Sequence, residues 1–398
     1  MMATESRGYV EAGAARRWDR YFGMLLLLGI PGSLFTAAAT VPMGLAALYA
    51  LGMRLAGNRA DADVARLFWF FAACYAALLG TDLLNGGGAG NFQYTAVNYL
   101  MLFGAAGAAY VLRRSGLGDR AVVAALVAAI WIATAISLYR ALVLDIPRPG
   151  GLYMNPIPYA LVVSMWGMLL LSLALEEGRL RLPLAATAVL AVVPVVLAES
   201  KIVWMAAAAG YGLVVLRWAV ARRAWRTLGL AALAAVVVLS VAYVTVAHTR
   251  LAEFVDELSA FLTTGDRSGA SFGHRAILAE AGFRAFLDAP FLGYGFHEHR
   301  DVAMTYVDPS GPDLSHLTHL HNDYLTHLVS YGYVGLAFLV AFYGALVWIA
   351  RNAAGAARRS AGYALACMAA IYMSGEIFLN HEPITGPLAI MIGILFMR

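Results

Sequence analysis

Residues 155–175 read NPIPYALVVSMWGMLLLSLAL, an apolar stretch without a charged side chain. A helix of about 20 such residues spans the hydrocarbon core of a bilayer. Similar stretches recur along the chain, and the proline and glycine in some of them are tolerated where neighbouring helices satisfy the backbone. The pattern predicts an all-α integral membrane protein with about twelve transmembrane helices. The predicted spans are residues 21–38, 41–56, 67–84, 94–112, 121–139, 155–175, 182–198, 202–216, 227–247, 323–349, 360–379 and 383–397.

The composition agrees with a membrane protein. Of the 398 residues, 61% are hydrophobic and 13% are charged, whereas soluble globular domains carry about 25% charged residues. This composition excludes an ordinary cytosolic enzyme, a disordered chain and a secreted disulfide scaffold. Cys74 and Cys367 lie in apolar stretches, which is typical of small buried side chains rather than of a disulfide or a zinc pair.

The basic side chains predict the orientation of the bundle. With the N-terminus in the cytoplasm, 20 of the 28 lysines and arginines fall on the cytoplasmic side and 8 on the outer side. Cytoplasmic loops of membrane proteins carry such an excess, so both termini are expected in the cytoplasm. Because topology accounts for most of the basic residues, the net charge of +4 does not indicate a nucleic-acid partner.

One long polar segment divides the chain. Residues 1–247 hold the first nine predicted spans, residues 248–318 form a large outer loop, and residues 319–398 hold the last three spans. Long loops in compact proteins are usually functional. Within this loop, apolar residues at helical spacing predict an amphipathic helix near residues 251–262, and a second helix is expected near residues 274–288.

The eight outer cations need a reason other than topology. Arg275 follows Gly273 and His274 at the start of a predicted helix, where a guanidinium and exposed backbone N–H groups favour an anion such as phosphate. Lys201, the only lysine, lies in a short turn between two apolar stretches, at the height of lipid phosphates. It also suits a snorkelling side chain or a partner for Glu199.

The remaining outer arginines are weaker candidates for a contact with phosphate. Arg140 and Arg148 flank the outer end of the fifth predicted span and are additional candidates for a lipid phosphate. The other arginines of the loop are expected to pair with its acidic side chains. These are Arg250, Arg267, Arg284 and Arg300.

Histidines cluster where the loop returns to the membrane, because His316, His319 and His321 lie within six residues. Three imidazoles suggest a metal site, but their spacing does not match a helical i, i+4 pair, although an irregular loop can still gather ligands. His316 and His319 also suit capping of the next helix. His321 suits a general base that acts on a hydroxyl of a lipid-bound substrate at the membrane edge.

Further polar residues near the outer ends have simpler explanations. Asp323 suits the first turn of a helix, where the helix dipole favours an acid. His327 follows His321 by one and a half helical turns and is expected to face elsewhere. Glu376 and His381, near the outer end of the eleventh span, either line an entrance for a substrate or cap helices, and capping is favoured.

Several motifs together resemble one enzyme family. His321 and Asn322, then nine residues, then Gly332-Tyr333-Val334-Gly335 match the pattern H-[NSQ]-x9-G-x-x-[GTY] of the bacterial O-antigen ligase (WaaL) family. The run from His321 to Leu325, which includes Tyr324, is similar to the hallmark of the wider superfamily of ligases, O-antigen polymerases and O-linked oligosaccharyltransferases. Upstream, Arg275 and the turn at residues 290–295 resemble the arginine and P-x-x-G-x-G turn of that family, so the resemblance covers residues 198 to 350.

The resemblance implies a function and roles for particular residues. The family's ligases transfer O-antigen polysaccharide from undecaprenyl diphosphate to a sugar of lipid A–core, at the periplasmic face of the bacterial inner membrane. They use no nucleotide sugar, metal or other cofactor. His321 would be the general base, and Arg275 would bind the diphosphate with Lys201. Arg140 is a weaker candidate for the same diphosphate, because of its position at the outer end of a span and not because of the resemblance. Lys201 follows Ser200 where the family has a Ser-Arg pair, and lysine offers a point charge instead of a planar fork.

Three other functions stay open at this point. A polymerase of the same superfamily would use another lipid-linked repeat as acceptor, and an oligosaccharyltransferase would use a protein serine. The spacing of Gly332 and Gly335 favours a ligase over a polymerase and also permits close helix packing. A transporter would show inverted repeats and polar groups at the membrane midplane, and we find neither pattern in the sequence.

Overall fold

The computed structural model describes most of the chain, and its regular elements there are all helices. The described residues are 2–35, 39–58, 61–85, 89–99, 101–152, 154–176, 181–226, 229, 248–269 and 272–397. Their helices are α1 (Met2–Gly32), α2 (Thr40–Leu55), α3 (Ala62–Leu84), α4 (Ala89–Tyr99), α5 (Met101–Arg114), α6 (Asp119–Leu142), α7 (Pro156–Ala174), α8 (Arg181–Leu190), α9 (Val192–Leu197), α10 (Lys201–Arg222), α11 (His248–Thr264), α12 (Gly273–Asp288), α13 (His299–Met304), α14 (Asp323–Asn352), α15 (Gly355–Met373) and α16 (Glu382–Leu395).

Among these helices, five are long and apolar enough to cross a membrane: α3, α6, α7, α10 and α14. Three shorter apolar stretches accompany them, namely α2, the pair α8 and α9, and α16. The fourth and seventh predicted spans are each divided between two helices, α4 with α5 and α8 with α9. The ninth predicted span, residues 227–247, lies outside the described residues apart from residue 229. The total of twelve spans stays a prediction.

Helix α7 forms the centre of the bundle. Asn155 caps its first turn, with Oδ1 accepting a hydrogen bond from the backbone N–H of Ile157 at 2.9 Å, and Pro156 follows at the first helical position. Because α7 is apolar on all faces, it is buried along nearly its whole length, with Tyr159 and Trp166 inaccessible to solvent. Helices α6, α8, α10, α15 and α16 pack around it.

The segment 248–318 contains the two helices expected from its sequence. The predicted amphipathic helix corresponds to α11 and the second to α12. Helices α12 and α13 both pack against α14, and a small core of buried side chains that includes Leu278, Phe286, Leu320 and Val329 joins them. The segment is therefore attached to the helix that follows the histidines.

Helix α14 is kinked at Gly332, whose φ of 58° and ψ of −137° are not helical. At the kink, the carbonyl oxygens of Val329 and Ser330 accept hydrogen bonds from the turn at residues 290–295. Tyr294 N–H donates to Val329 O, and Gly295 N–H donates to Ser330 O. In return Tyr333 N–H donates to Pro290 O at 2.7 Å. We call this pairing the kink clasp.

The kink clasp revises the packing role predicted for the two glycines. A Cβ on Gly332 would lie 2.5 Å from Pro290 O and 2.6 Å from the carbonyl carbon of Phe291, so only glycine permits this approach of two backbones. A Cβ on Gly335 would overlap the carbonyl of His327 in the same helix. Both glycines therefore serve the kink within α14.

Candidate active site

His321 lies in the last turn of the loop, directly before α14. Its φ of 48° is in the left-handed region, which a residue other than glycine adopts only when its surroundings hold it there. Asn322 supplies part of that support, because its Oδ1 caps α14 by accepting from Leu325 N–H at 3.0 Å. Its Nδ2 donates to Ser374 O at 3.3 Å, which links the start of α14 to the end of α15.

Three side chains form what we call the histidine–glutamate cluster: His319, His321 and Glu376. Glu376 Oε1 lies 2.6 Å from His319 Nε2, and its Oε2 lies 3.2 Å from His321 Nδ1. The two imidazole centroids are 4.0 Å apart. The side chain of Glu376 is 5% exposed, while those of His319 and His321 are 26% and 16% exposed, so the cluster opens towards solvent on its imidazole side.

Glu376 is an anion in this cluster. Burial raises the pKa of the Glu376 carboxyl, but the hydrogen bonds and charges of His319 and His321 outweigh burial and bring that pKa well below its usual range. A carboxylate only accepts hydrogen bonds, so the neutral ring of His321 carries its hydrogen on Nδ1 and keeps a lone pair on Nε2. In the neutral form of this ring, Nε2 is therefore the nitrogen that can accept a proton.

The turn that carries Glu376 is held by Asp323. This turn, residues 374–381, connects α15 to α16, and we call it the α15–α16 turn. Asp323 is fully buried, and its Oδ2 accepts from Phe378 N–H at 3.0 Å and Leu379 N–H at 2.9 Å. Because Asp323 is two residues from His321, these bonds fix Glu376 relative to the histidine.

A second buried network lies beneath the cluster. His327 Nδ1 lies 2.7 Å from Asp323 O, and its Nε2 lies 2.7 Å from the Tyr99 hydroxyl. Asn380 Nδ2 donates to the same hydroxyl at 2.8 Å. His327 is fully buried and faces α4, away from His321, so it supports the α15–α16 turn from below.

Arg275 lies in the first turn of α12 and is half-buried. Its charge acts on Tyr372, in the last turn of α15, and the backbone N–H of Glu376 donates to Tyr372 O at 3.0 Å. The Tyr372 hydroxyl is buried and has no hydrogen-bond partner among the described residues. Arg275 and Glu376 therefore both lie in the surroundings of Tyr372.

Lys201 is the first residue of α10. Its Nζ is 4.8 Å from the centre of the Phe254 ring in α11, a distance suited to a cation–π contact. The next residue, Ile202, packs against the α15–α16 turn, since a Cβ on Gly375 would lie 3.0 Å from Ile202 Cδ1. The start of α10 thus adjoins the residue that precedes Glu376.

Residues 186–340 match the family model described as O-antigen ligase. The matched segment is similar to the O-antigen ligase family, and it makes up less than half of the chain. It contains Lys201, Arg275 and His321, whereas Glu376 lies beyond its end. No curated protein sequence matches the chain. With the apolar helices, the match indicates a membrane protein of a glycosyltransferase-like family, with a ligase or polymerase type of activity.

Not every cation expected from the sequence lies near the ligase-family histidine. Arg140 is in the last turn of α6, its Nε is buried without a hydrogen-bond partner among the described residues, and its charge acts on Tyr159 in α7. Arg148 reaches closer, because its Nε donates to Ala198 O at 3.0 Å, three residues before Lys201. The structure thus joins Arg148, and not Arg140, to the turn that precedes α10.

Most of the loop arginines pair with acids, as expected. Arg267 and Arg284 both bind Glu280, and Arg300 Nη1 lies 2.8 Å from Asp301 Oδ1. The side chain of Arg250 lies outside the described residues. Tyr324 of the ligase-family motif has a packing role, since its hydroxyl donates to Ala370 O at 2.9 Å and joins α14 to α15.

The sequence favoured capping over a site role for Glu376, and it offered capping as one alternative for His319. Glu376 lies near the predicted outer end of the eleventh span, and the His321 motif lies at the outer end of the tenth. This shared location at the outer membrane face was the one indication in the sequence that the two could be close. The two residues are separated by more than 50 positions, and only the packing of α14 on α15 brings them together.

Proposed function

We propose that this protein is an O-antigen ligase, which transfers polysaccharide from undecaprenyl diphosphate to a sugar hydroxyl of lipid A–core. The observation that carries the proposal is the contact between the buried carboxylate of Glu376 and His321, a residue of the segment that matches the O-antigen ligase model. The arrangement of an imidazole whose Nδ1 faces a carboxylate is that of a general base in acyl-transfer triads, where the acid holds the ring in one tautomer.

The proposed reaction is a single displacement. His321 Nε2 accepts the proton of the acceptor hydroxyl while the hydroxyl oxygen attacks the anomeric carbon of the donor sugar. The bond from that carbon to the diphosphate oxygen breaks, and the diphosphate leaves with the electron pair. Inversion at the anomeric carbon is expected. Glu376 stabilises the imidazolium that forms, and His319 holds the other oxygen of Glu376.

The cations stabilise the charge that develops on the leaving group. Arg275 offers a planar fork for the diphosphate, and Lys201 adds a point charge from the start of α10. Arg140 would contact the diphosphate only if the bound donor extends towards α6. The donor carries its own leaving group, so the reaction requires no nucleotide, and a metal or other cofactor is not expected. Membrane lipids surround the polyprenyl chain.

The location follows from the distribution of basic residues. We place the protein in the bacterial inner membrane, with both termini in the cytoplasm and His321 on the periplasmic side, because 20 of the 28 cations then lie on cytoplasmic segments. The candidate spans α10 and α14 both have the cluster at their N-terminal ends, which is consistent with a site at one membrane face.

Reconstitution with separate acceptors tests the proposal. Purified protein in liposomes receives the undecaprenyl-diphosphate-linked glycan with lipid A–core, with a second lipid-linked repeat, or with a serine-containing peptide. We expect transfer to lipid A–core. Elongation of the lipid-linked repeat alone would make the protein a polymerase, the second activity that the family match supports, and modification of the peptide alone would make it an oligosaccharyltransferase.

Two variants in the same assay test the proposed roles. His321→Ala removes the proton acceptor and should lower the transfer rate by about 10²–10⁴-fold, the usual loss for a general base. Arg275→Ala should raise the donor concentration needed for half-maximal rate. Normal transfer by the His321 variant, from protein that is correctly inserted in the liposomes, would overturn the mechanism.

A further inference from the structure

The histidine–glutamate cluster has the donor atoms of a metal site. One nitrogen of His319, one nitrogen of His321 and one carboxylate oxygen of Glu376 all lie within 4.8 Å of one another. Two imidazoles and one carboxylate are typical ligands of Zn²⁺, and zinc sites with three protein ligands keep a fourth position for a small molecule. The sequence left a metal site open because an irregular loop can gather ligands, and the structure places Glu376 beside two of the three histidines.

The separations are close to those that zinc requires. Zinc binds nitrogen at about 2.0–2.1 Å and carboxylate oxygen at about 2.0–2.2 Å, so tetrahedral ligand atoms are about 3.3 Å apart. The N···O separations in the cluster are 2.6 Å between His319 and one oxygen of Glu376, and 3.2 Å between His321 and the other oxygen. A rotation of the Glu376 carboxylate that turns one oxygen towards both nitrogens would bring the three donors around one ion.

The surroundings of the cluster also suit a bound ion. His319 Nδ1 lies 3.1 Å from the Thr318 hydroxyl, a partner for the ring nitrogen that does not face Glu376. Such outer contacts orient metal-binding imidazoles and strengthen the site. The carboxylate compensates part of the metal charge, and the partial exposure of both imidazoles leaves a path for entry and an open coordination position.

A metal ion at this site opposes general base catalysis. The His321 nitrogen that faces Glu376 is Nδ1, and coordination through Nδ1 of a neutral imidazole leaves the hydrogen on Nε2. A protonated Nε2 donates a hydrogen bond and cannot accept the proton of an acceptor hydroxyl. The ion also removes Glu376 from its role as partner of the imidazole.

We propose that His319, His321 and Glu376 form an inhibitory site for a divalent transition metal such as Zn²⁺. Metal binding rests on the geometry alone, whereas inhibition also rests on the proposed function. The ion competes with catalysis and is not a cofactor of it.

Equilibrium dialysis of the untagged, full-length protein in detergent against Zn²⁺ tests the binding step. After treatment with EDTA, we expect one ion per chain. His319→Ala should weaken binding by more than the roughly 10–100-fold that loss of an outer partner costs, because it removes a direct ligand. His316→Ala, an exposed histidine of the same loop that lies outside the cluster, serves as the matched control and should bind as the wild type does.

Substitution with Co²⁺ gives a second readout of the same site. A tetrahedral Co²⁺ complex absorbs visible light, and this absorption should appear with the wild type and with His316→Ala, but not with His319→Ala. Equal metal binding by all three proteins, or no binding by the wild type, would show that the cluster is not a metal site.

The transfer assay tests inhibition separately. We expect the EDTA-treated protein to be active and Zn²⁺ to lower its rate in proportion to the occupied sites. Activity that requires Zn²⁺, or full activity with the site occupied, would refute the inhibitory role. A protein that transfers no glycan under any condition would instead refute the proposed function, while the dialysis would still decide the metal site.

Discussion

At the scale of single residues, the two nitrogens of one imidazole carry separate roles. The Nδ1 of His321 faces the Glu376 carboxylate, so Nε2 is the ring nitrogen that is left to contact a substrate hydroxyl. The same carboxylate binds His319 through its other oxygen, which prevents Glu376 from turning away. The carboxylate that faces His321 therefore belongs to a residue outside the matched segment.

Glu376→Gln tests this dependence on a charged partner. The amide keeps the shape of the side chain but removes the negative charge, so His321 loses the anion that fixes its tautomer and stabilises its protonated form. We expect kcat for glycan transfer to fall by about 10²-fold or more, with little change in KM for the donor. Glu382→Gln, an exposed acid at the start of α16, is the control and should retain activity. A kcat that stays within about threefold of wild type would exclude the role of Glu376.

The sequence predicted His321 as the base because the motif around it is local, from His321 to Gly335. It could not predict Glu376, because the contact depends on where α15 ends. The apolar run extends to residue 379, but the helix stops at Met373, since Asp323 binds the backbone N–H groups of Phe378 and Leu379. A buried carboxylate from another helix sets this boundary, and hydropathy contains no information about it.

At the scale of elements, the kink clasp is the least expected feature. Sequence periodicity gave α14 as one continuous span, and it did not indicate that Gly332 would leave the helix. The kink exists because backbone groups of Pro290, Tyr294 and Gly295 replace the lost helical partners. These residues precede Gly332 by about 40 positions, so the pattern within α14 alone is insufficient.

Gly332→Ala should destabilise the protein. Holding a residue other than glycine at this φ and ψ costs about 1–3 kcal/mol, and the added Cβ would also meet the carbonyls of Pro290 and Phe291. Gly344→Ala lies in the same helix, where a Cβ meets no atom within 4 Å, and is expected to be neutral or to stabilise by about 0.5–1 kcal/mol. Thermal unfolding in detergent measures both, and equal unfolding midpoints would contradict the kink clasp.

His299 allows the stability of the helices in segment 248–318 to be tested by its dependence on pH. It is buried in α13, and burial lowers the pKa of its imidazole from 6.5 to about 4. The unfolded chain therefore takes up a proton near pH 6.5, before the folded chain does, and the free energy of unfolding decreases as the pH falls from 6.5 towards 4. At pH 5 this single group should cost about 2 kcal/mol relative to pH 7 or above.

Comparison with His299→Gln isolates this effect. The variant cannot titrate at this position, so its unfolding temperature should decrease less between pH 7 and pH 5 than that of the wild type. His316→Gln replaces an exposed histidine nearby and should follow the wild type. Identical pH dependence in all three proteins would mean that the folded protein does not hold His299 neutral.

At the scale of the whole molecule, composition and hydropathy predicted an all-helical membrane protein, and the described residues form helices of which five suit a bilayer crossing. The agreement is best for α7, whose sequence lacks charge altogether and which lies at the centre of the bundle. It is poorest at helix ends such as that of α1, which ends at Gly32 while the apolar run continues to residue 38. Ends depend on local hydrogen bonds, which average hydropathy does not register.

Labelling of single cysteines tests the orientation of the bundle. Cys74 and Cys367 are first replaced by serine or alanine, and one new cysteine is then introduced at an exposed position. Ser310→Cys in the loop should react with a membrane-impermeant maleimide in intact spheroplasts, whereas Asn352→Cys at the end of α14 should react only after lysis. The reverse pattern would place the histidine–glutamate cluster on the cytoplasmic side and contradict the proposed location.

The position of Glu376 outside the ligase segment has a consequence for recombination between related proteins. A chimera that exchanges residues 186–340 alone imports His321 with its motif but keeps the carboxylate of the recipient chain. Such a chimera can form the contact between histidine and carboxylate only if the recipient has an acidic residue at the position that corresponds to Glu376. A segment exchanged between related proteins should therefore extend at least to the end of the α15–α16 turn, because an exchange that stops at residue 340 separates His321 from Glu376.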